Sequence, residues 1–184
     1  FLQVGDAGAE RRIAVRHRSG APPGVFWLGG FKSDMKGTKA EALSDWARAQ
    51  GRACLRFDYS GHGESEGDFN AGTIGRWLEE SLAVFEAHCT GPQVLIGSSM
   101  GGWIALLLIR ELRRRKVAGA ASVAGLVLIA PAVDFTEALM WQRFPAEIRR
   151  EIEEKGFWER PSEYSAEPYR ITRNLIEDGR NHLL

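Results

Sequence analysis

Six residues near the middle of the chain, Gly97-Ser98-Ser99-Met100-Gly101-Gly102, restrict its folding more than any others. They contain G-x-S-x-G with Ser99 at the centre. An apolar segment, residues 94–96 (VLI), runs into them, and another, residues 103–109 (WIALLLI), runs out. The first reads as a buried strand, and the second as the body of a helix over residues 100–115. A strand that turns into a helix within so few residues needs glycine on both arms, because side chains would collide there. The central residue is then held in a strained conformation at the tip, with its side chain above the sheet. The following helix aims free N–H groups at the same point. Ser99 is therefore read as a nucleophile. Ser98, not centred between the glycines, is read as a hydrogen-bonding neighbour. The pattern alone is weak in a chain with 21 glycines; the strand before it and the helix after it give it weight.

The flanking sequence supplies the sheet and helices that such a turn requires. Residues 13–18 alternate apolar and polar, as a half-buried strand does. Residues 25–28 (VFWL), 52–57 (RACLRF), 94–97 and 126–130 (LVLIA) read as further strands, the last of them buried, with Pro92 ahead of its strand. Thr38 opens T-K-A-E, which predicts a capping box with Glu41, and Gly51 ends that helix. Ile74, Trp77, Leu78, Leu82, Phe85 and Cys89 share one helical face. Strand and helix alternate, so an α/β core with a mostly parallel sheet is expected over residues 1–132. Residues 133–184 show no clear strand and are expected to form a helical cap. There Met140, Phe144, Ile148 and Ile152 recur every fourth residue, and Pro145 suits the first position of a new helix. Trp141, Phe157, Trp158, Tyr164 and Tyr169 crowd the same region.

Composition removes other classes. Lysine plus arginine equals aspartate plus glutamate, 24 each, so no net field attracts nucleic acid or an anionic membrane. The basic cluster Arg113-Arg114-Arg115-Lys116 reads as a solvated helix end that complements the helix dipole. Residues 117–133 form a weakly polar run broken by Gly119, Ser122, Gly125 and Pro131, so membrane insertion is not expected. Cys54 and Cys89 sit in apolar stretches and read as reduced core thiols. FLQVGDAGAE has no basic region followed by an apolar one, so no leader is expected there. The chain has 19 arginines and 5 lysines; that ratio favours a bacterial, cytoplasmic setting. Composition says nothing about oligomeric state.

The second chemical signal is Leu28-Gly29-Gly30-Phe31, directly after a strand. Acyl transfer builds negative charge on the former carbonyl oxygen, and two backbone N–H groups must face it. Met100, just after the nucleophile, and Phe31 are the expected donors; an ordinary glycine turn is the plainer reading of the second loop. A third stretch, Asp58-Tyr59-Ser60-Gly61-His62-Gly63-Glu64-Ser65, is expected to hold its own shape beside the elbow. His62 is unsuited as the base, which should follow the nucleophile in chain order. His17 and His88 read as structural, and Glu151, Glu153 and Glu154 as a solvated helix face. No histidine–cysteine cluster suggests a metal, and no cofactor is implied.

Taken in this order, the GG-Phe loop, DYSGHGES and GSSMGG resemble the α/β-hydrolase superfamily. Gly37-Thr38-Lys39-Ala40, Arg56-Phe57-Asp58-Tyr59-Ser60-Gly61 and Gly97-Ser98-Ser99-Met100-Gly101-Gly102-Trp103 are similar to the branch of palmitoyl-protein thioesterases and acyl-glucuronide hydrolases, with its bacterial members. The similarity runs into the cap through Lys155-Gly156-Phe157-Trp158 and Pro161-Ser162-Glu163-Tyr164-Ser165. The resemblance implies an α/β-hydrolase fold whose last strands, with the catalytic acid and histidine, lie beyond Leu184. Asp134 and His182 follow Ser99 in the right order but are not expected to replace them. The function expected is a serine hydrolase for small acyl esters or thioesters, working through an acyl-enzyme on Ser99, with Met140, Trp141 and Phe144 of the cap binding substrate. The alternatives are a non-catalytic hydrolase-like binding module and, among enzymes, an aminopeptidase or C–C bond hydrolase.

Overall fold

The computed structural model describes residues 1–115, 121–161 and 168–184. Lys116, the start of the 117–133 run, and residues 162–165 of the cap similarity, Tyr164 included, lie outside the described residues. Strands β1 (Leu2–Val4) and β2 (Arg11–Ile13) form an antiparallel pair, followed by β3 (Val15–Arg18) and β4 (Ala21–Leu28). Helix α1 (Thr38–Ala49) leads to β5 (Arg52–Phe57), and α2 (Ile74–His88) to β6 (Gly91–Ser98). Helix α3 (Met100–Arg115) precedes β7 (Ala121–Ile129). The central sheet has the order β3-β5-β4-β6-β7, with β3 antiparallel and the rest parallel.

The VFWL run shows how the sheet is filled. Side chains alternate across a strand, so Phe26 and Leu28 join Trp77, Phe85 and Leu108 on the face carrying α2 and α3. Val25 and Trp27 join Ala40 and Ala47 of α1 on the other. A strand covered on both faces reads as a continuous apolar run.

Several expectations change. Thr38 is not the cap of α1: Gly37 takes that place without a side-chain hydrogen bond. The Glu41 carboxylate instead accepts from Arg56 at 2.6 Å. Pro92 lies inside β6, at its start, one residue before pairing with β4 begins at Gln93, and proline, which has no N–H, is tolerated at the start of a strand. The segment 126–130 is not buried. β7 is the edge of the described sheet, and Val127 and Leu128 are 47% and 38% exposed.

The cap is not wholly helical. A π-helical turn (Phe135–Met140) and a short 3₁₀ turn (Trp141–Arg143) lead to α4 (Ala146–Lys155). Two strands, β8 (Phe157–Arg160) and β9 (Tyr169–Thr172), then pair antiparallel. Phe144 is extended because Pro145 follows it, so the four-residue period does not form one helix. Thr172 caps α5 (Arg173–Arg180) by accepting from the Leu175 N–H, which leaves Ile171 in the strand rather than in a longer helix.

Candidate active site

The elbow forms as its glycines require. Ser99 has φ +53°, a left-handed conformation that non-glycine residues seldom adopt. A Cβ on Gly97 would lie 2.7 Å from the Gly102 Cα, and one on Gly101 would lie 2.5 Å from the Gly29 carbonyl oxygen. Neither position admits a side chain while α3 stays seated on β4 and β6. The serine backbone is tied to the end of β7: Ser99 N–H donates to Ile129 O at 3.0 Å, and Ser99 O accepts from Ala132 N–H at 3.0 Å. Such strain persists only where the surroundings over-determine it.

The loop after β4 lies against this serine. A Cβ on Gly30 would be 3.4 Å from the Ser99 Cβ. The Gly30 carbonyl accepts from Ser33 N–H and Ser33 Oγ, both at 3.1 Å, while Gly30 N–H donates to Ser33 Oγ at 3.0 Å. In a trans peptide the C=O and N–H point opposite ways. With Gly30 O turned toward Ser33, Phe31 N–H faces away from that turn and donates to no protein group among the described residues. Met100 N–H, in the first turn of α3, is likewise without a protein acceptor there.

The DYSGHGES loop does more than hold its own shape. Asp58, buried, accepts from Met35 N–H at 2.7 Å and from Glu64 N–H at 2.8 Å, so it ties this loop to the one after β4. Burial raises its carboxyl above the ordinary range, against the pull of those two N–H groups. The His62 ring accepts Lys32 N–H on Nε2 at 3.1 Å. The tie through Met35 and the braces from Ser33 and His62 are not legible from residue types, although a serine three positions after Gly30 is a known turn device.

The four histidines are engaged elsewhere. His17 and His88 face each other at 6.0 Å. His62 is buried beneath the loop. His182 Nε2 is 3.6 Å from Asp178 Oδ2, and Asp134 accepts from the Leu184 N–H. The Asp134–His182 arrangement therefore does not form, and no histidine hydrogen-bonds Ser99 among the described residues. No three metal-binding side chains converge there, and no described helix is long and apolar enough to cross a membrane. Cys54 and Cys89 are buried free thiols, and burial pushes the Cys89 thiol up to about 12.

The cap reaches the loop through rings other than the expected substrate-binding residues Met140, Trp141 and Phe144. Phe31 packs against Phe135 at 5.6 Å and Tyr169 at 6.0 Å. Met140 is buried, Trp141 lies under the Arg180 guanidinium, and Phe144 packs edge-on against Trp158 at 5.3 Å.

Residues 20–180 match the Alpha/beta hydrolase family. The chain is 36% identical to the human mitochondrial palmitoyl-protein thioesterase ABHD10 over 173 residues, which is 94% of this chain and 54% of that protein. It thus spans about half the length of the curated relatives it matches. A putative hydrolase from Agrobacterium vitis S4 superposes with a TM-score of 0.94 at 49% identity, covering 99% of this chain and 70% of that one. Mouse alpha/beta hydrolase domain-containing protein 10 superposes with a TM-score of 0.80 at 31% identity, covering 100% and 70%. The strained serine between parallel strand and helix, on a sheet of this order, has the same meaning as these matches: the chain belongs to the alpha/beta hydrolase family.

Proposed function

We propose that the protein is a serine hydrolase of acyl thioesters and esters. The observation that carries this is Ser99 at φ +53°, with the Phe31 and Met100 N–H groups left without protein acceptors. Ser99 Oγ attacks the acyl carbonyl, and those two N–H groups hold the oxyanion. The alcohol or thiol leaves, and water then releases the acid from the acyl-enzyme. A histidine takes the serine proton and an acid orients it. Because the chain's four histidines are engaged elsewhere, we place both groups outside residues 1–184. The Alpha/beta hydrolase relatives, longer than this chain, support that placement.

The name palmitoyl-protein thioesterase belongs to relatives at 35% to 37% identity; it supports a thioester of an acyl chain as substrate class. Met140, Trp141 and Phe144 would line the acyl side of the cap. A binding module without turnover has no use for a strained serine that costs about 1–3 kcal/mol. The buried free thiols suit a reducing, cytoplasmic compartment.

The test is turnover by the full-length protein of a long-chain acyl thioester, a p-nitrophenyl ester and a peptide amide. Ser99→Ala is expected to lower thioester and ester turnover by about 10⁶. Unchanged turnover in that variant, or a preference for the amide, would overturn the reading.

A further inference from the structure

We infer that His62 is a positioning residue of the oxyanion hole, its Nε2 lone pair pinning the Lys32 N–H and with it the peptide that follows Phe31. The inference rests on the role just proposed for Phe31.

The two peptide planes that flank the Phe31 Cα are each held by a side chain. The preceding one is fixed through Gly30 O by Ser33. The following one is fixed through Lys32 N–H by His62. Lys32 itself has φ +58°, so the loop sits in a conformation it would leave without restraint. With both planes held, Phe31 N–H keeps one direction before substrate arrives. Such preorganisation separates a working oxyanion hole from a loose loop.

The hydrogen bonds assign the tautomer. A backbone N–H only donates, so Nε2 must carry a lone pair. The proton is then on Nδ1, which donates to Ser60 O at 3.1 Å. Only the neutral Nδ1–H form makes both bonds. Its surroundings favour that form. The ring is 5% exposed and packs edge-on against Tyr59, Phe69 and Trp77 at 5.7, 5.2 and 5.2 Å. Burial first, and then the Lys32 ammonium, push its pKa down to about 4. Lys32, Asp34 and Tyr169 are the other titratable groups lining the same small cavity. A histidine invariably neutral near pH 7, with both ring nitrogens committed, is a fixed strut and not a proton carrier.

The experiment compares His62→Phe with His62→Gln in the full-length protein. Phenylalanine keeps the ring packing and removes the acceptor; glutamine returns an acceptor oxygen near the Nε2 position. His62→Phe is expected to lower kcat for a p-nitrophenyl ester by about 10², with KM within about twofold. His62→Gln is expected to recover to within about tenfold of the parent. Full activity in His62→Phe, or no recovery in folded His62→Gln, would overturn the inference. If either variant fails to fold, ¹⁵N-histidine spectra of the parent decide: His62 should show the neutral Nδ1–H tautomer at pH 7. An Nε2–H tautomer or an imidazole titrating near 6.5 would overturn it. Ser99→Ala, run alongside with a fluorophosphonate probe, separates the two readings. Labelling that survives Ser99→Ala sinks the nucleophile, whereas a silent Ser99→Ala beside a fully active His62→Phe sinks only the strut.

Discussion

The two flanks of β6 are built differently. On the β4 side the loop beside Ser99 is held by side chains. Asp58 holds Met35, His62 holds Lys32 and Ser33 holds Gly30, above a core in which Phe26 and Leu28 are fully buried. On the β7 side Ser99 is held by backbone hydrogen bonds alone, one to the last residue of β7 and one from Ala132 beyond it, and β7 exposes Val127 and Leu128. An apolar cleft of about 970 Å³ opens there between α3 and β7, lined by Leu106, Ile109 and Val123. The difference separates two tasks. On the proposed mechanism, oxyanion binding needs fixed dipoles, and the braced loop within residues 1–132 would carry them. Proton transfer needs a histidine beside Ser99, and none of the four is there.

The comparison breaks first at Gly101. The Gly101→Val side chain has no room against the Leu28 and Gly29 carbonyls. The variant is expected to lose about 4 kcal/mol or more, and its thermal midpoint to fall by about 10 °C or more. Melting like the parent would mean that the β4 flank is not packed as described.

The next effect is a pH dependence. His62 is neutral in the fold down to about pH 4, whereas the unfolded chain takes up this proton below about 6.5. The unfolded state therefore binds more protons in that window, and stability falls as pH falls. The parent is expected to lose about 3 kcal/mol more than His62→Gln between pH 6.5 and pH 4 in denaturant titrations. Asp58 and Glu80, whose carboxyl pKa values burial raises, act in the opposite sense and are common to both proteins. Equal slopes would place His62 in water rather than under the loop.

Ser33→Ala removes the hydroxyl that bridges Gly30 N–H and Gly30 O but leaves the backbone turn. It is expected to lower kcat about tenfold with KM unchanged. The smallest effect belongs to the open flank. Val127→Thr in the 184-residue chain is expected to change stability by no more than about 0.5 kcal/mol. A loss of 2 kcal/mol or more would show that β7 is packed as tightly as β4.

The same contrast explains what could be read without coordinates. The elbow was legible because steric necessity writes it in residue types: glycine at 97 and 101, apolar runs before and after. β5 and α3 match their expected bounds because Gly51, Asp58 and the elbow punctuate them. The braces were not legible, since a buried histidine that accepts one N–H looks, in sequence, like any histidine near a nucleophile. The β8–β9 pair was missed because its strands are four residues each and show no long alternation. LVLIA is apolar and predicts a buried strand, but burial depends on what neighbours a strand, which a local pattern does not contain.

The central claim is that Ser99 forms the covalent acyl intermediate. The most direct test is to treat the full-length protein with a fluorophosphonate, digest it, and locate the added mass. The account predicts one adduct, on the peptide carrying Ser99 at that hydroxyl, and none in Ser99→Ala. An adduct on Ser98 or elsewhere, or one that survives Ser99→Ala, would contradict it.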